Sequence, residues 1–338
     1  MTVATVYVAG KSGGHIIPAL TLAQNSKGDT ATSYMIVHDL HLDRVLCRTS
    51  SALDGILFLS LRSGSFRNFW KYPWYIYDMM RAIVQCCCFL KSCRATQLVS
   101  MGGYISLPAV IAARIVRIPV IVYELNAIPG RAVKFLMPFV DEVRYCFSAA
   151  HQYFTKFPHA HYVPYPLKYM YKDLKPLVRV REQMRIPHDK YVLVVLGGSQ
   201  GSHYLNHAIC AWVAHVSSEY RERLYIIHQT GSHAATAYVK RKYDAQGIPN
   251  ATHAFFENLS MYYCAADRVV TRAGAGALHE LLFFRRKSLI VPLEMAADDH
   301  QVANAAVMVA THPDLFSMVR QGDTEQFVNL MTKFLAEE

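Results

Sequence analysis

The chain has 338 residues, enough for about two domains, and 52% of them are hydrophobic while 18% are charged. This composition excludes a disordered or fibrous chain, because it supplies ample apolar material for packed cores. Thirty-five Lys and Arg residues against 25 Asp and Glu residues make a net charge of +10, which predicts an anionic partner. Charge alone leaves open whether that partner is nucleic acid, anionic lipid or a phosphorylated substrate.

The first half of the chain alternates short apolar runs with helical segments. The runs predict strands, and helices follow several of them, which is typical of βαβ units around a parallel sheet. Two of the turns between a strand and a helix are rich in glycine, at 10–14 and at 101–103. The strands are predicted at 3–9, 34–37, 55–60, 97–100 and 119–123.

The same pattern restarts in the second half, so the sequence predicts two similar α/β halves. Gly-rich turns occur again at 197–201 and 273–276, and the Pro-rich, basic segment 159–187 is the predicted linker. A final helix is predicted over 324–335, and the sequence leaves open which half it packs on. The strands of this half are predicted at 191–196, 224–228, 268–271 and 288–292.

Three Gly-rich turns, at 10–14, 197–201 and 273–276, are candidate phosphate sites, because glycine lets backbone N–H groups approach an anion at a helix N-terminus. Glycines also close ordinary βα turns, but three in a doubled α/β pattern indicate a nucleotide or phosphorylated ligand at strand ends, between the domains. Thr5 stands where a P-loop needs glycine, and no G-x-G-x-x-G occurs. ATPase and dehydrogenase functions are therefore disfavoured.

Segment Arg62–Arg94 mixes basic and aromatic side chains, including Trp70 and Trp74, which suits the interface between lipid headgroups and acyl chains. A core helix with an aromatic face is the alternative. Three cysteines at 86–88 and five others form no C-x-x-C pair, which predicts a reduced, cytosolic protein. The pattern predicts neither a signal peptide nor a membrane-spanning helix.

Six segments carry a more specific pattern: Gly10-Lys11-Ser12-Gly13-Gly14-His15, Met101-Gly102-Gly103-Tyr104, Tyr123-Glu124-Leu125-Asn126, Leu196-Gly197-Gly198-Ser199-Gln200-Gly201-Ser202, Arg272-Ala273-Gly274-Ala275-Gly276-Ala277-Leu278-His279-Glu280 and Ala297-Asp298-Asp299-His300-Gln301. In this order they resemble the peptidoglycan N-acetylglucosaminyltransferases of glycosyltransferase family 28. The combination is specific, whereas no single segment would be.

The resemblance implies a GT-B fold: α/β, with two Rossmann-like parallel-sheet domains facing across a cleft. An acceptor- and membrane-binding domain would cover 1–164 and a UDP-sugar-binding domain 165–338, its last helix packing there or back on the first domain. The implied enzyme is an inverting, metal-independent hexosyltransferase without a cofactor. It would move GlcNAc from UDP-GlcNAc to undecaprenyl-diphospho-MurNAc-pentapeptide (lipid I), forming lipid II for peptidoglycan.

The resemblance also implies a location and partners. The protein would lie peripherally on the cytoplasmic face of the bacterial inner membrane, bound to anionic inner-leaflet lipids through Arg62–Arg94. Other cell-wall synthesis proteins are further candidate partners, and nucleic acid is not expected. A nucleic-acid binder is disfavoured because the basic and aromatic residues are confined to one segment and no nucleic-acid motif occurs.

Inverting transfer needs a base for the acceptor hydroxyl and stabilisation of the leaving UDP. His15, at the mouth of the first Gly-rich turn, is the candidate base or acceptor-positioning residue, with a structural helix cap as the alternative. Glu124 is the rival base and could equally orient a neighbouring loop. Asn126 is expected to contact the GlcNAc or the acceptor.

The remaining candidate residues are implied by the resemblance to bind UDP-GlcNAc. Ser199 is expected to hold the diphosphate, Glu280 to accept hydrogen bonds from the ribose hydroxyls, and Gln301 to bind GlcNAc hydroxyls. Phe256 falls at the family's uracil contact, where a core phenylalanine is the alternative. The other members of the set are Lys11, Ser12, Gly13, Lys168, Ala275, Gly276, Ala277, Leu278 and His279.

At five positions the chain departs from the family pattern. Lys11 stands where a small residue is usual, Lys168 replaces an arginine and Ala277 replaces a threonine, while Tyr123 and Tyr165 replace His and Asn. Lysine keeps the charge of arginine but loses its bidentate geometry. Two alternatives therefore stay open: another UDP-sugar-dependent glycolipid transferase of the same family, or a homologue without catalytic activity.

Overall fold

A computed structural model describes residues 3–10, 13–27, 31–39, 51–61, 72–198, 200–294, 299–322 and 324–336. The chain divides into two compact units, Met1–Lys168 and Tyr169–Glu338, and each is built around its own parallel sheet. The central strands are apolar and buried along almost their whole length, as a parallel sheet covered by helices on both faces requires. The predicted α/β class with two parallel-sheet domains is confirmed.

Over its described residues, the first unit contains a sheet of seven parallel strands, which are β1 (Val3–Ala9), β2 (Ala31–His38), β3 (Gly55–Leu59), β4 (Gln97–Ser100), β5 (Val120–Glu124), β6 (Glu142–Tyr145) and β7 (Ala160–Tyr162). Their order in the sheet is β3-β2-β1-β4-β5-β6-β7. The chain adds β2 and β3 on one side of β1 and then crosses to place β4 on the other. The strand order therefore reverses between β1 and β4, where a ligand crevice is expected in such sheets.

The described residues of this unit form four α-helices: α1 (Gly13–Asn25), α2 (Tyr72–Ser92), α3 (Ser106–Ile115) and α4 (Arg131–Leu136). Short 3-10 turns follow at Met137–Phe139 and Ser148–Tyr153. Helix α2 buries Ala82, Cys86 and Leu90, spaced four residues apart, in the core formed by α3 and one face of the sheet. One side of α2 is thus a core surface, and its other side remains outside that core.

The described part of the second unit contains six parallel strands, which are β8 (Tyr191–Leu196), β9 (Leu224–Gln229), β10 (Asn250–His253), β11 (Arg268–Thr271), β12 (Ser288–Ile290) and β13 (Phe316–Met318). Their order is β10-β9-β8-β11-β12-β13. The order reverses between β8 and β11, so this unit repeats the arrangement of the first one. The two Gly-rich turns predicted in this half follow these two strands.

Where the structure describes the second unit, it has eight α-helices: α5 (Leu177–Gln183), α6 (His203–His215), α7 (Ser218–Arg223), α8 (His233–Asp244), α9 (Ser260–Ala265), α10 (Ala275–Phe283), α11 (His300–Thr311) and α12 (Thr324–Ala336). The final helix packs Phe327, Met331 and Phe334 into the core that also holds Trp212 of α6. It therefore belongs to the second unit, which answers the question that the sequence left open.

The segment 159–187, predicted as a linker, is folded over much of its length. Its beginning forms the edge strand β7, and α5 near its end buries Arg181, whose guanidinium donates to Ala265 O and pairs with Asp267. Its prolines lie before or after these elements and do not indicate an unstructured linker. None of the described helices is long and apolar enough to cross a membrane.

Candidate functional site

Three neighbouring strands of the first unit end in segments that carry the family resemblance of the predicted acceptor-binding domain. Strand β1 is followed by Gly10, β4 by Met101-Gly102-Gly103, and β5 ends at Glu124. Because the strands are parallel, their carboxyl ends lie at one edge of the sheet. The fold therefore brings together three segments that are spread over residues 10–124 of the sequence.

In the first two of these segments, glycine is required by a close contact or by the backbone conformation. A Cβ at Gly10 would lie only 2.6 Å from Ile105 Cγ2, and Gly102 and Gly103 have φ angles of 78° and 82°. Positive φ is a conformation that other residues rarely adopt. Gly10 consequently packs closely on Ile105, just after the second turn, while Gly102 and Gly103 are favoured there by their positive φ.

His15 lies between the two turns. It is in the first turn of α1, and its Nδ1 is 3.2 Å from Gly10 O. A Cβ built on Gly103 would lie 3.5 Å from the same nitrogen. When Nδ1–H donates to Gly10 O, Nε2 is the nitrogen that can accept a proton. The geometry supports the prediction that His15 is a base or positions the acceptor, and its role stays a prediction.

Glu124 organises the loop that follows it. Its Oε1 accepts hydrogen bonds from Asn126 N at 2.8 Å and Asn126 Nδ2 at 3.3 Å, and its Oε2 accepts one from Gly130 N at 3.1 Å. Burial raises the pKa of this carboxyl to about 7, although these hydrogen bonds lower it. The contacts support loop orientation, the alternative to its role as a base, and they tie Asn126 to the same sheet edge.

Helix α2 presents a second feature of the first unit. Its outward side exposes large apolar side chains, while the side chains of Tyr75 and Asp78 lie near Tyr104, in the second Gly-rich segment. The start of α2 is thus close to the predicted acceptor segments. The exposed apolar residues, each more than half exposed, are Trp74, Ile76, Tyr77, Met80 and Val84. Residues 62–71 of the predicted membrane segment lie outside the described residues.

In the second unit, the Gly-rich turn after β8 packs tightly on the turn after β9. A Cβ at Gly201, where φ is 74°, would overlap Thr230 O, and one at Gly231 would overlap Gln200 O. A Cβ at Gly197 would lie 2.5 Å from Ser202 N. Gly197 and Gly201 are therefore required for close backbone approach, as a phosphate-binding turn would need.

The N-terminus of α10 lies at the end of the neighbouring strand β11. Its N-cap is Gly274, which has no side chain to cap the first turn, and Gly276 and Ala277 are half-exposed. The predicted residues Ala275 and Leu278 are buried, so they can offer only backbone groups. This end of α10 is suited to an anion because its N–H groups are not occupied by a capping side chain.

Arg272, which the sequence analysis did not select as a site residue, joins these two turns. Its Nε and Nη2 donate to Ser202 Oγ at 3.0 and 2.7 Å, and its Nη1 donates to Val291 O and Pro292 O at 3.1 and 3.2 Å. The side chain is 8% exposed. In the described part of the chain, every hydrogen-bond acceptor of this guanidinium is neutral. A buried cation therefore lies at the reversal of the strand order.

Three other buried polar side chains support the same edge, and the sequence analysis missed them as well. Gln229 Nε2 donates to Gly198 O at 2.8 Å, while its Oε1 accepts from Phe256 N at 3.0 Å. Asn206 Nδ2 donates to Thr230 O, and Asn304 Nδ2 donates to Ala273 O. These bonds join loops that are distant in sequence. A buried amide at a strand end or in the first turns of a helix is the signal that could have identified them.

Other predicted donor residues occupy the surroundings of α10. Glu280, in its second turn, accepts a hydrogen bond from Tyr263 at 2.8 Å, and Gln301 Oε1 accepts one from Leu293 N at 3.0 Å. Burial lowers the pKa of His279 to about 4, so this side chain is neutral at pH 7. Lys168, the last residue of the first unit, is half-buried.

Phe256 is a packed aromatic residue. It is 6% exposed, and its ring lies 4.2 Å from that of Tyr262 and 5.2 Å from that of His253. This environment matches the alternative of a core phenylalanine, and the uracil contact stays a prediction. The predicted residues Lys11, Ser12 and Ser199 lie outside the described residues, whereas Gly13 begins α1.

Family models match most of this chain. The N-terminal domain of glycosyltransferase family 28 matches residues 5–144, and the C-terminal domain of the same family matches residues 192–336. The two matches cover the two parallel sheets except for the edge strand β7, the last residue of β6, the first two residues of β1 and the first residue of β8. Each Gly-rich turn described above lies within one of the two matches.

Curated relatives are similar over most of their length. A protein of Anaeromyxobacter sp. (strain Fw109-5) is 31% identical over 306 residues, which is 89% of this chain and 76% of the relative. A protein of Neisseria meningitidis serogroup A is 26% identical over 329 residues, or 96% of this chain and 88% of the relative. Both are named UDP-N-acetylglucosamine–N-acetylmuramyl-(pentapeptide) pyrophosphoryl-undecaprenol N-acetylglucosamine transferase.

Solved structures share the fold. Acinetobacter baumannii MurG superposes with a TM-score of 0.75 at 22% identity, covering 99% of this chain and 91% of that protein. The UDP-GlcNAc 2-epimerase of Neisseria meningitidis, bound to UDP-GlcNAc, superposes with a TM-score of 0.65 at 12% identity, covering 99% and 92%. At these identities the likeness establishes the architecture alone.

Proposed function

Because the chain belongs to glycosyltransferase family 28, we propose that it transfers GlcNAc from UDP-GlcNAc to lipid I and forms lipid II with inversion. The bond between C1 of GlcNAc and the diphosphate breaks, a hydroxyl of the muramoyl sugar forms the new glycosidic bond, and UDP leaves. The chemistry needs a base on the acceptor side and charge stabilisation on the donor side.

One observation carries the donor side: the buried guanidinium of Arg272, bonded to neutral groups between two Gly-rich turns. A buried charge without a counter-charge destabilises a protein, and a bound anion offsets that cost. The diphosphate of UDP-GlcNAc is such an anion. The open N-terminus of α10 and the backbone of 197–201 add N–H donors, as at other diphosphate sites.

The position of Glu280 agrees with a nucleotide at this site. It lies four residues beyond Gly276 on α10, which places it on the same face of the helix and about 6 Å further along the axis. A nucleotide with its phosphates at the N-terminus would therefore bring its ribose next to this carboxylate. Gln301 and Ser199 are the proposed contacts to GlcNAc and to the diphosphate.

On the acceptor side, His15 is the proposed base. Its Nδ1–H donates to Gly10 O, so Nε2 takes the proton of the acceptor hydroxyl as that oxygen attacks C1. Glu124 holds the Asn126 loop through both of its oxygens and acts as a positioning residue. The proton ends on the imidazole, and the negative charge of the leaving group ends on UDP.

The outward side of α2 is the proposed contact with the cytoplasmic leaflet of the inner membrane. Exposed Trp74, Tyr77 and Met80 lie on a helix whose other side is core, and Arg81, Lys91 and Arg94 are exposed on the same segment. Apolar side chains flanked by basic ones favour a surface with anionic headgroups. The start of this helix lies near Tyr104, in the second Gly-rich segment. Lipid I would therefore bind next to the part of the chain that contacts the membrane.

Transfer of labelled GlcNAc to a lipid I analogue tests the proposal, with UDP-glucose and UDP-galactose as competing donors and diacylglycerol as a competing acceptor. We expect UDP-GlcNAc and the lipid I analogue to be preferred. His15→Ala should lower kcat by about 10²- to 10⁴-fold, as for other general bases, while donor binding persists. His233→Ala, which removes an exposed histidine from the first turn of α8, is the control. Donor binding without transfer would indicate a non-catalytic homologue, and absent donor binding would overturn the proposal.

A further inference from the structure

Tyr263 is a buried side chain whose hydroxyl contacts Glu280, a residue of the proposed donor site. It lies on α9, is 0% exposed, and donates a hydrogen bond of 2.8 Å to Glu280 Oε2. Burial and the neighbouring carboxylate raise the pKa of the phenol well above its ordinary value. The phenol therefore stays protonated at any working pH, and the direction of the bond is fixed from Tyr263 to Glu280.

An aromatic cluster holds the ring of Tyr263 in place. The ring lies 5.1 Å from that of Phe284 and 6.3 Å from that of Tyr169, which itself lies 5.1 Å from Phe284. The hydroxyl of Tyr169 accepts a hydrogen bond from Leu259 N at 3.2 Å, so this second ring is anchored as well. Packed rings of this kind adopt one rotamer, which gives the Tyr263 hydroxyl a defined position.

The hydrogen bond determines how Glu280 can meet a ligand. A glutamate side chain has three rotatable bonds. Because the hydrogen bond from Tyr263 already fixes one oxygen, ligand binding costs less side-chain conformational entropy. A carboxylate has about four acceptor positions, so one bond from Tyr263 leaves capacity for two hydroxyl donors. A vicinal pair of hydroxyls, as in ribose, matches a carboxylate held in one orientation.

We propose that Tyr263 is a positioning residue that orients the Glu280 carboxylate toward the two ribose hydroxyls and so sets the preference for a ribonucleotide over a 2′-deoxyribonucleotide. This inference rests on the proposed function, since it takes the donor to be a UDP-sugar bound beside α10. Tyr263 itself touches no substrate. Its contribution reaches the nucleotide through the carboxylate alone.

Calorimetric titration of UDP and of 2′-deoxy-UDP tests the inference on the wild type, Tyr263→Phe, Glu280→Gln and the double variant. In Tyr263→Phe we expect UDP binding to weaken by about tenfold, the equivalent of one hydrogen bond to a charged group. Binding of 2′-deoxy-UDP should change by less than about twofold, because that ligand offers Glu280 only one hydroxyl. In the Glu280→Gln background, Tyr263→Phe should have little further effect on the ratio of the two affinities.

Tyr243→Phe is the matched control. It removes another fully buried, hydrogen-bonded phenol, which contacts His228 Nδ1 at 2.7 Å and not Glu280. We expect it to leave the ratio of affinities unchanged, with thermal melting confirming that both variants fold. If Tyr263→Phe leaves the ratio of the two affinities unchanged, whether both affinities fall equally or neither falls, the inference is overturned and the proposed function stands. A wild type that binds no UDP would instead overturn the proposed function on which it rests.

Discussion

Replacing Glu124 with glutamine should flatten the pH dependence of the free energy of unfolding. Burial raises the pKa of this carboxyl from 4.5 to about 7, against the lowering effect of its hydrogen bonds from Asn126 and Gly130. Since the pKa is higher in the folded chain than in the unfolded one, the stabilisation is complete below pH 4.5 and is lost as the pH rises through 7. The difference of about 2.5 between the two pKa values corresponds to about 3 kcal/mol.

The substitution also removes one hydrogen bond at every pH. Glutamine keeps an oxygen that can accept from Asn126 N, but its NH₂ group would then face Gly130 N–H, which donates to Glu124 Oε2 at 3.1 Å. A lost bond to a buried donor costs about 1–3 kcal/mol. Glu124→Gln should therefore have a lower free energy of unfolding than the wild type at pH 5. Between pH 5 and pH 8 this difference should shift in favour of the variant by about 2 to 3 kcal/mol.

Urea unfolding at pH 5, 6, 7 and 8, followed by far-ultraviolet circular dichroism, measures this difference. Glu257→Gln, which replaces an exposed glutamate, controls for the loss of one negative charge. Its curve should run parallel to that of the wild type. The reasoning would be refuted if Glu124→Gln also ran parallel to the wild type over this pH range, because the ionisation of Glu124 would then not be coupled to folding.

Three further predictions concern the two sheet edges and α2. Arg272→Met should weaken UDP binding by about 100-fold and uridine binding by less than about threefold, since only UDP carries the diphosphate; equal losses in calorimetry would contradict an electrostatic role. Gly201→Ala should abolish UDP binding because its Cβ would overlap Thr230 O, whereas Gly198→Ala, with a similar positive φ but open space around it, should retain binding within about tenfold. Met80→Ser combined with Val84→Ser should lower co-sedimentation with anionic vesicles by at least about tenfold, while transfer to a water-soluble acceptor stays unchanged; unaltered sedimentation would exclude this side of α2 as the membrane contact.

The central strands of both sheets were predictable from the sequence. Strands Val3–Ala9, Gln97–Ser100, Tyr191–Leu196 and Arg268–Thr271 have the predicted bounds, because apolar runs buried on both faces are easily recognised and all four end at or near a glycine or an Arg-Ala-Gly turn. The edge strand β3 was predicted, but the edge strands β7, β10 and β13 and the adjoining strand β6 were missed. Short polar segments such as Asn250–His253 become strands only because a neighbouring strand supplies hydrogen-bond partners.

Several helix ends were also hidden from sequence reasoning. Glycine in the left-handed conformation is the usual signal that a helix has ended. In the described part of the chain, four helices are instead followed, two residues after their last residue, by an arginine with a positive φ between 49° and 61°: Arg94, Arg117, Arg185 and Arg285. In each case the residue after the arginine donates its N–H to the carbonyl five residues earlier, so local backbone hydrogen bonds close the helix end without glycine. The sequence therefore carries no glycine stop signal there.

The family, the α/β class and the Gly-rich turns could be predicted from the sequence alone, because each depends on short patterns of residues that are neighbours in the chain. The same local patterns selected His15, Glu124 and Glu280, whose roles stay predictions. Only the tertiary structure showed that Arg272 is a buried cation bonded to neutral groups and that Tyr263 holds Glu280. Their partners are 17 to 70 residues away along the chain, and a contact of that separation exists only once the strands and helices have packed.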